Sequence, residues 1–290
     1  MIRSDRIVAM VQWLMIPLIL SVLVVVIRHG LQGFSFDSIN DVLDPFYRNH
    51  VNYSALLAIS FPFFFYLLKT NQWVKWCLGL LLLSAVYFSS TRAAYIALFA
   101  GMAYFLVVRY RLSTFLSILA IAVASYFVFD LIRDHAYLDY APNYKKTIAH
   151  KNFDDLIEAT YEFQDVSTME RVHRWVAGFH MIGERPWTGF GPAGFYESYK
   201  NHTVNSFKTY ISDNKEHSGI HSYYLMTAVE QGIPGLIIYL ILIFATLIVG
   251  EKAYHRLEDP KDRQMCLAAI SALVIIHIFQ LINDLVEADK

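Results

Sequence analysis

Charge is the scarcest feature of this chain. Asp, Glu, Lys and Arg make up 17% of its 290 residues, and the formal net charge is −1. Soluble domains carry about 25% charged residues, so an ordinary soluble enzyme is a poor fit. There is no excess of Lys and Arg to lie along a phosphate backbone, which argues against a nucleic-acid binder. Cysteine is almost absent. Cys77 and Cys266 are too few for a disulfide framework or a cysteine-based zinc site. Both sit inside apolar stretches, where they read as small packing residues.

Apolar bulk takes the place of charge. The chain is 56% hydrophobic and 16% aromatic, with a mean hydropathy of +0.38. That excludes a disordered chain. A spanning helix takes roughly 20 apolar residues, fewer when interface residues flank it. Seven runs qualify as candidates: 7–27, 51–68, 73–89, 93–108, 113–132, 233–249 and 264–282. Nearly free of internal charge, they fit lipid better than a soluble core. The first follows Arg3 and Arg6 as a signal peptide would. It is too long for one, however, and no small-residue cleavage site precedes Arg28-His29-Gly30. It reads as a helix that stays.

Basic residues set the orientation. Arg3, Arg6, Lys69, Lys75, Arg109, Arg111, Lys252, Arg256, Lys261 and Arg263 fall on one side of the seven runs. The short connections on the other side hold Arg28, Arg48 and Arg92. The N-terminus is therefore expected in the cytoplasm. The fold expected is all-α: a polytopic membrane bundle of about seven helices with one large helical extracytoplasmic loop. Helices one to five fall in 1–133, the large loop in 134–220 and helices six and seven in 221–290.

Loops this long are functional or disordered, and aromatics run through 134–220, including Tyr137, Phe153, Trp175, Trp187 and Phe195. Order is the better reading. Helical patterning appears over 154–163 and again over 170–182. In the second, Val172, Trp175, Val176 and Phe179 fall at helical spacing and predict one apolar face. The loop carries 12 acidic and nine basic residues, so it is not a cationic patch.

Gly189-Phe-Gly191-Pro-Ala-Gly194 matches G-x-G-x-x-G literally. A dinucleotide site needs a strand before it, and here a helix precedes. A tight turn stiffened by Pro186 and Pro192 is the better reading, with backbone N–H groups that could face an anion. His217 and His221 have a metal-ligand spacing, but Gly219 weakens helix between them and no His-Glu-x-x-His pattern is present. Arg92 follows Ser89-Ser90-Thr91 at the outer end of the third run. Charge there can be an interface anchor. With Arg171 and Arg174 on the same expected side, it also suits a phosphate or pyrophosphate, to which guanidinium groups donate bidentate bonds. Glu230 is either a helix-end charge or a partner orienting a histidine one or two turns back.

These pieces, in this order, resemble the O-antigen ligase/polymerase superfamily of bacterial membrane glycosyltransferases. Ser90-Thr91-Arg92-Ala93-Ala94 is similar to the family's Ser/Thr-Arg-Gly/Ala segment. Arg171-Val-His-Arg-Trp175 is similar to its Arg-x-x-x-Trp, followed by Met181-Ile182 and by Pro186-x-x-Gly189-x-Gly191-Pro192-x-x-Phe195. His221-Ser222, nine residues and Gly232-Ile-Pro-Gly235 resemble its His-[Asn/Ser/Gln]-x9-Gly-x-x-Gly signature. Asn49-His50-Val51-Asn52 resembles a further outward segment. Family members usually have about a dozen helices, so the resemblance implies a fragment lacking several N-terminal helices and the last one.

The resemblance implies transfer of a glycan from undecaprenyl pyrophosphate to an acceptor, lipid A–core or another surface glycan, on the periplasmic face of the bacterial inner membrane. It implies catalysis by His221 as general base, with Arg92 and Arg171 stabilising the leaving pyrophosphate and Arg174 as a further pyrophosphate contact. An imidazole with an ordinary pKa near ~6.5 is available as a neutral base. Inversion at the anomeric carbon, no cofactor and no catalytic metal are also implied. A repeat-unit polymerase of the same superfamily is the first alternative. A membrane transporter subunit is the second, although such proteins place ionisable groups in mid-membrane.

Overall fold

The computed structural model describes residues 4–67, 71–141, 166–214 and 218–283. All regular secondary structure among them is helical. The seven apolar runs form α1 (Ser4–Leu31), α3 (His50–Leu67), α4 (Gln72–Phe88), α5 (Arg92–Arg109), α6 (Ser113–Ile132), α9 (Tyr223–Arg256) and α10 (Pro260–Ile282). Between them lie α2 (Ile39–Leu43), α7 (Val166–Glu184) and α8 (Gly194–Ser198), with short 3-10 turns. The helix expected over 154–163 lies outside the described residues.

Five of the seven are long and apolar enough to cross a membrane, through Ala9–Leu31, Arg92–Arg109, Ser113–Asp130, Tyr223–Arg256 and Pro260–Ile282. The other two are α4, at 17 residues, and α3, with His50 and Asn52 in its first turn. This is a polytopic helical membrane protein. Apolar side chains are exposed on α6, where Phe115, Ile118, Phe127 and Phe129 are between 59% and 66% exposed. In water such a surface would aggregate, whereas in a bilayer it is the preferred one.

By packing, the chain divides into two compact units, residues 1–113 with 246–279 and residues 114–245 with 280–290. In the first, α3 packs on α4 and α5, and α1 on α2, α3 and α4. Ala93, Ala97 and Gly101 repeat every four residues along α5 and are buried. Small residues at this spacing let membrane helices approach closely. At Gly101 the approach is tight enough that a Cβ would lie 2.3 Å from Ile275 of α10. The Glu251 carboxylate, 6% exposed, accepts a bond from the Ser113 amide at 3.0 Å and so satisfies an open donor at the start of α6.

In the second unit, α7 and α8 pack on the N-terminal part of α9. Ala177, Met181, Phe195, Tyr199, Ile220, Met226 and Val229 form its core. Helix α9 is broken at Gly232, whose φ of 73° and ψ of −179° are outside any helix. The stretch from Tyr223 to Gln231 is thereby set apart from the apolar stretch that follows.

Candidate active site

Helix α7 carries the second resemblance motif, and its buried face is not the one that apolar spacing predicts. Met169, His173, Ala177 and Met181 are the centre of that face, at 0–2% exposed. Of the expected face, Val176 is buried at 5%, while Val172, Trp175 and Phe179 are half-buried. The rotation is possible because the polar groups it buries satisfy one another. Glu170 and Arg174, 3% and 5% exposed, pair one turn apart at 3.3 Å. Glu170 Oε1 also accepts from Ser212 Oγ at 2.5 Å and from Thr209 Oγ1. Isolated, either charge would be strongly disfavoured here; paired and hydrogen-bonded, both are tolerated.

His173 lies among these groups. Burial holds its imidazole below the ordinary value, Glu170 pulls the other way, and Arg174 and Lys208 add to the lowering. At the exposed end of the helix, Glu184 bonds His202 Nε2 at 2.7 Å, which lowers the carboxyl.

Two consecutive carbonyls ahead of His221 are held by α7. Arg174 Nη1 donates to Gly219 O at 3.3 Å, and Trp175 Nε1 donates to Ile220 O at 3.0 Å. Gly178 completes the seat, since a Cβ there would lie 2.6 Å from Ile220 Cδ1. Just ahead of them, the Asn214 side chain donates to Ser218 O and accepts from Ser218 N, at 2.9 and 2.8 Å. His221 then takes φ of 57°, left-handed backbone in a non-glycine residue. That conformation costs about 1–3 kcal/mol and persists where surrounding structure enforces it, often at functional sites. Ser222 follows, buried, and α9 begins at Tyr223. His217, the other histidine of the expected metal spacing, lies outside the described residues.

Arg171 is half-buried and shares a helix face with Trp175, one turn on. Arg174 is instead engaged by Glu170 and Gly219.

The glycine-rich segment and the α9 break form a reciprocal cap. Phe190 N donates to Val229 O at 2.9 Å and Gly191 N to Glu230 O at 3.0 Å, satisfying carbonyls at the break. Ile233 N returns a bond to Pro186 O at 2.7 Å. A Cβ at Gly189 would lie 2.4 Å from the Glu230 carbonyl, and one at Gly232 2.7 Å from that of Trp187. Gly189 N and Gly194 N also go to backbone carbonyls, of Arg185 and Gly191. These four amides are thus spent on the turn itself rather than facing an anion.

Arg92 belongs to the first unit. It is the first residue of α5, half-buried, after Ser90 at φ 53°. A cation at a helix N-terminus opposes the helix dipole, so the dipole does not favour it there. Thr91 Oγ1 donates to His50 O at 3.4 Å and to Ser89 O at 3.3 Å, tying the Arg92 turn to the start of α3. The four resemblance segments therefore meet in pairs, 49–52 with 90–94 in one unit and 171–195 with 221–235 in the other. Sequence reasoning missed the polar groups at Thr209, Ser212 and Asn214. The available signal was the opposite-charge pair Glu170 and Arg174 at i,i+4, which needs local partners if it is buried.

The family described as O-antigen ligase matches residues 77–240, more than half of the chain. The chain belongs to the O-antigen ligase family. Arg92, Arg171, Arg174 and His221 all fall inside the match, and Asn49–Asn52 precede it. No curated protein matches the chain. Membership makes it a multi-pass membrane protein of the ligase and polymerase superfamily, acting on lipid-linked glycans.

Proposed function

We propose that this O-antigen ligase family member transfers a glycan from undecaprenyl pyrophosphate to lipid A–core or another surface glycan, at the periplasmic face of the inner membrane. The observation that carries the reading is His221, held in left-handed backbone by two anchored carbonyls. Strain maintained by dedicated contacts is expected where a side chain must be aimed.

In the proposed reaction His221 takes the proton of the acceptor hydroxyl as its oxygen bonds the anomeric carbon. The bond from that carbon to the pyrophosphate oxygen breaks, the configuration inverts, and undecaprenyl pyrophosphate leaves. Arg92 and Arg171 are assigned to the charge that develops on the leaving group, a task fixed cations perform well where water is excluded. No metal is assigned a step. Arg174, expected from the sequence to join them, is assigned instead to holding the His221 turn, because Glu170 and Gly219 occupy its guanidinium. The N-terminus is assigned to the cytoplasm, from the distribution of Lys and Arg.

Deletion of the gene in its host tests the proposal, with surface glycan and lipid-linked glycan resolved on gels. Long glycan trapped on the carrier beside a bare acceptor identifies a ligase. Single repeats on the acceptor without a ladder identify a polymerase. No change in either pool overturns both and favours transport.

A further inference from the structure

Trp175 lies at the end of the Arg-x-x-x-Trp segment, and its indole is neither fully buried nor free. Its Nε1 donates to the carbonyl oxygen of Ile220 at 3.0 Å. That carbonyl belongs to the peptide plane joining Ile220 to His221. The φ angle of His221 is measured from this plane, so the plane on one side and the start of α9 at Tyr223 on the other together set where the imidazole leaves the chain.

Three contacts from one helix act on that short stretch. Arg174 holds the carbonyl of Gly219, Trp175 holds the next one, and the missing Cβ of Gly178 leaves room for the Ile220 side chain. Arg174 is held in turn by Glu170, whose carboxylate also gathers Thr209 and Ser212. All of these groups belong to one compact unit and are set by residues 170–178 of α7.

We infer that Trp175 is a positioning residue for His221, acting through the Ile220 peptide and not through substrate. The inference rests on the general-base reading of His221. It predicts that the indole N–H, and not the ring, carries the effect. Trp175→Phe keeps an aromatic ring in the cluster and removes the donor. The freed peptide can then rotate, and misaiming a reacting group by about 1 Å costs up to ~100-fold in rate.

The test uses right-side-out membrane vesicles carrying their own lipid-linked glycan, with external pH varied, and Tyr199→Leu as a packing control from the same cluster. Trp175→Phe is expected to slow glycan transfer at least ~10-fold and to displace its pH profile, at a melting temperature no lower than that of Tyr199→Leu. Tyr199→Leu should leave the profile in place. In parallel, histidine-labelled protein in nanodiscs gives the His221 imidazole resonance, identified by its loss in His221→Gln. Trp175→Phe is expected to shift it.

An unshifted resonance with a wild-type pH profile overturns the positioning role. So does a loss of transfer in Trp175→Phe that Tyr199→Leu reproduces in full. If His221→Gln transfers glycan at the wild-type rate, the general-base reading fails instead, and the resonance alone still decides whether Trp175 orients His221.

Discussion

Gly189 lies against the main chain of Glu230, so closely that a Cβ would stand 2.4 Å from both the carbonyl carbon and its oxygen. The contact joins two segments 41 positions apart in the sequence. It allows the amides of Phe190 and Gly191 to reach the carbonyls released where α9 breaks. Gly189 and Gly232 serve this close approach, and the G-x-G-x-x-G likeness is accidental.

The two glycines of the turn differ in a measurable way. Gly189 has φ of 65° and a crowded Cβ position, whereas Gly191 has φ of 86° and open space around it. Gly189→Ala meets left-handed strain and a backbone clash together and is expected to cost ~3 kcal/mol. Gly191→Ala meets the strain alone, ~1 kcal/mol. Melting of the two variants in detergent, followed by tryptophan fluorescence, checks the order. Equal losses would show that the Glu230 contact is not what requires glycine.

The Glu170–Arg174 pair gives a second test. Both are nearly inaccessible, so Glu170→Gln strands a buried guanidinium and is expected to cost ~3 kcal/mol. Adding Arg174→Met removes the stranded charge and should return about half of that loss. Limited proteolysis at the exposed Lys208 reads the stability of this part of the loop. A double variant weaker than the sum of its parts would place the cost outside the ion pair.

His173 sets a pH dependence whose sign follows from its surroundings. Its folded value is lowered beneath the ordinary 6.5, chiefly by burial. The unfolded chain therefore binds more protons between the two values, and stability rises with pH across that window. Above 6.5 the contribution is level. Below it, stability falls as pH drops toward the lowered value. His173→Asn is expected to flatten melting temperature against pH in that window. A wild-type slope in the variant would assign the dependence to other groups.

Much of the bundle was legible in the sequence. Long apolar runs leave few alternatives in lipid, and helices form at all seven, the sixth inside the longer Tyr223–Arg256, which continues across the break at Gly232. Helix α7 was legible as a helix, yet its buried face was not. Glu170, His173 and Arg174 look like a solvated side until Thr209, Ser212 and Gly219 are known to meet them. The candidate residues were legible one at a time. Their pairing was not, because Trp175 with Ile220 and Gly189 with Glu230 are contacts between distant segments that spacing does not encode. Left-handed backbone at His221 and Ser90 leaves no mark in residue type.

The arginines separate the catalytic proposal from structural support. Lysine keeps the charge but loses the planar fork that binds phosphate oxygens in pairs. Arg92→Lys and Arg171→Lys are each expected to lower glycan transfer ~100-fold, the scale for losing one charge-stabilising donor, with little change in melting temperature. Arg174→Lys should do the reverse in emphasis. It loses the simultaneous hold on Glu170 and Gly219, so its effect enters through stability and the His221 turn. The ratio of surface glycan to carrier-linked glycan, at matched protein levels in the host, measures the first effect, and detergent melting measures the second. Full transfer by Arg92→Lys or Arg171→Lys would remove that residue from the pyrophosphate role. An unshifted melting temperature with lost transfer in Arg174→Lys would return Arg174 to it.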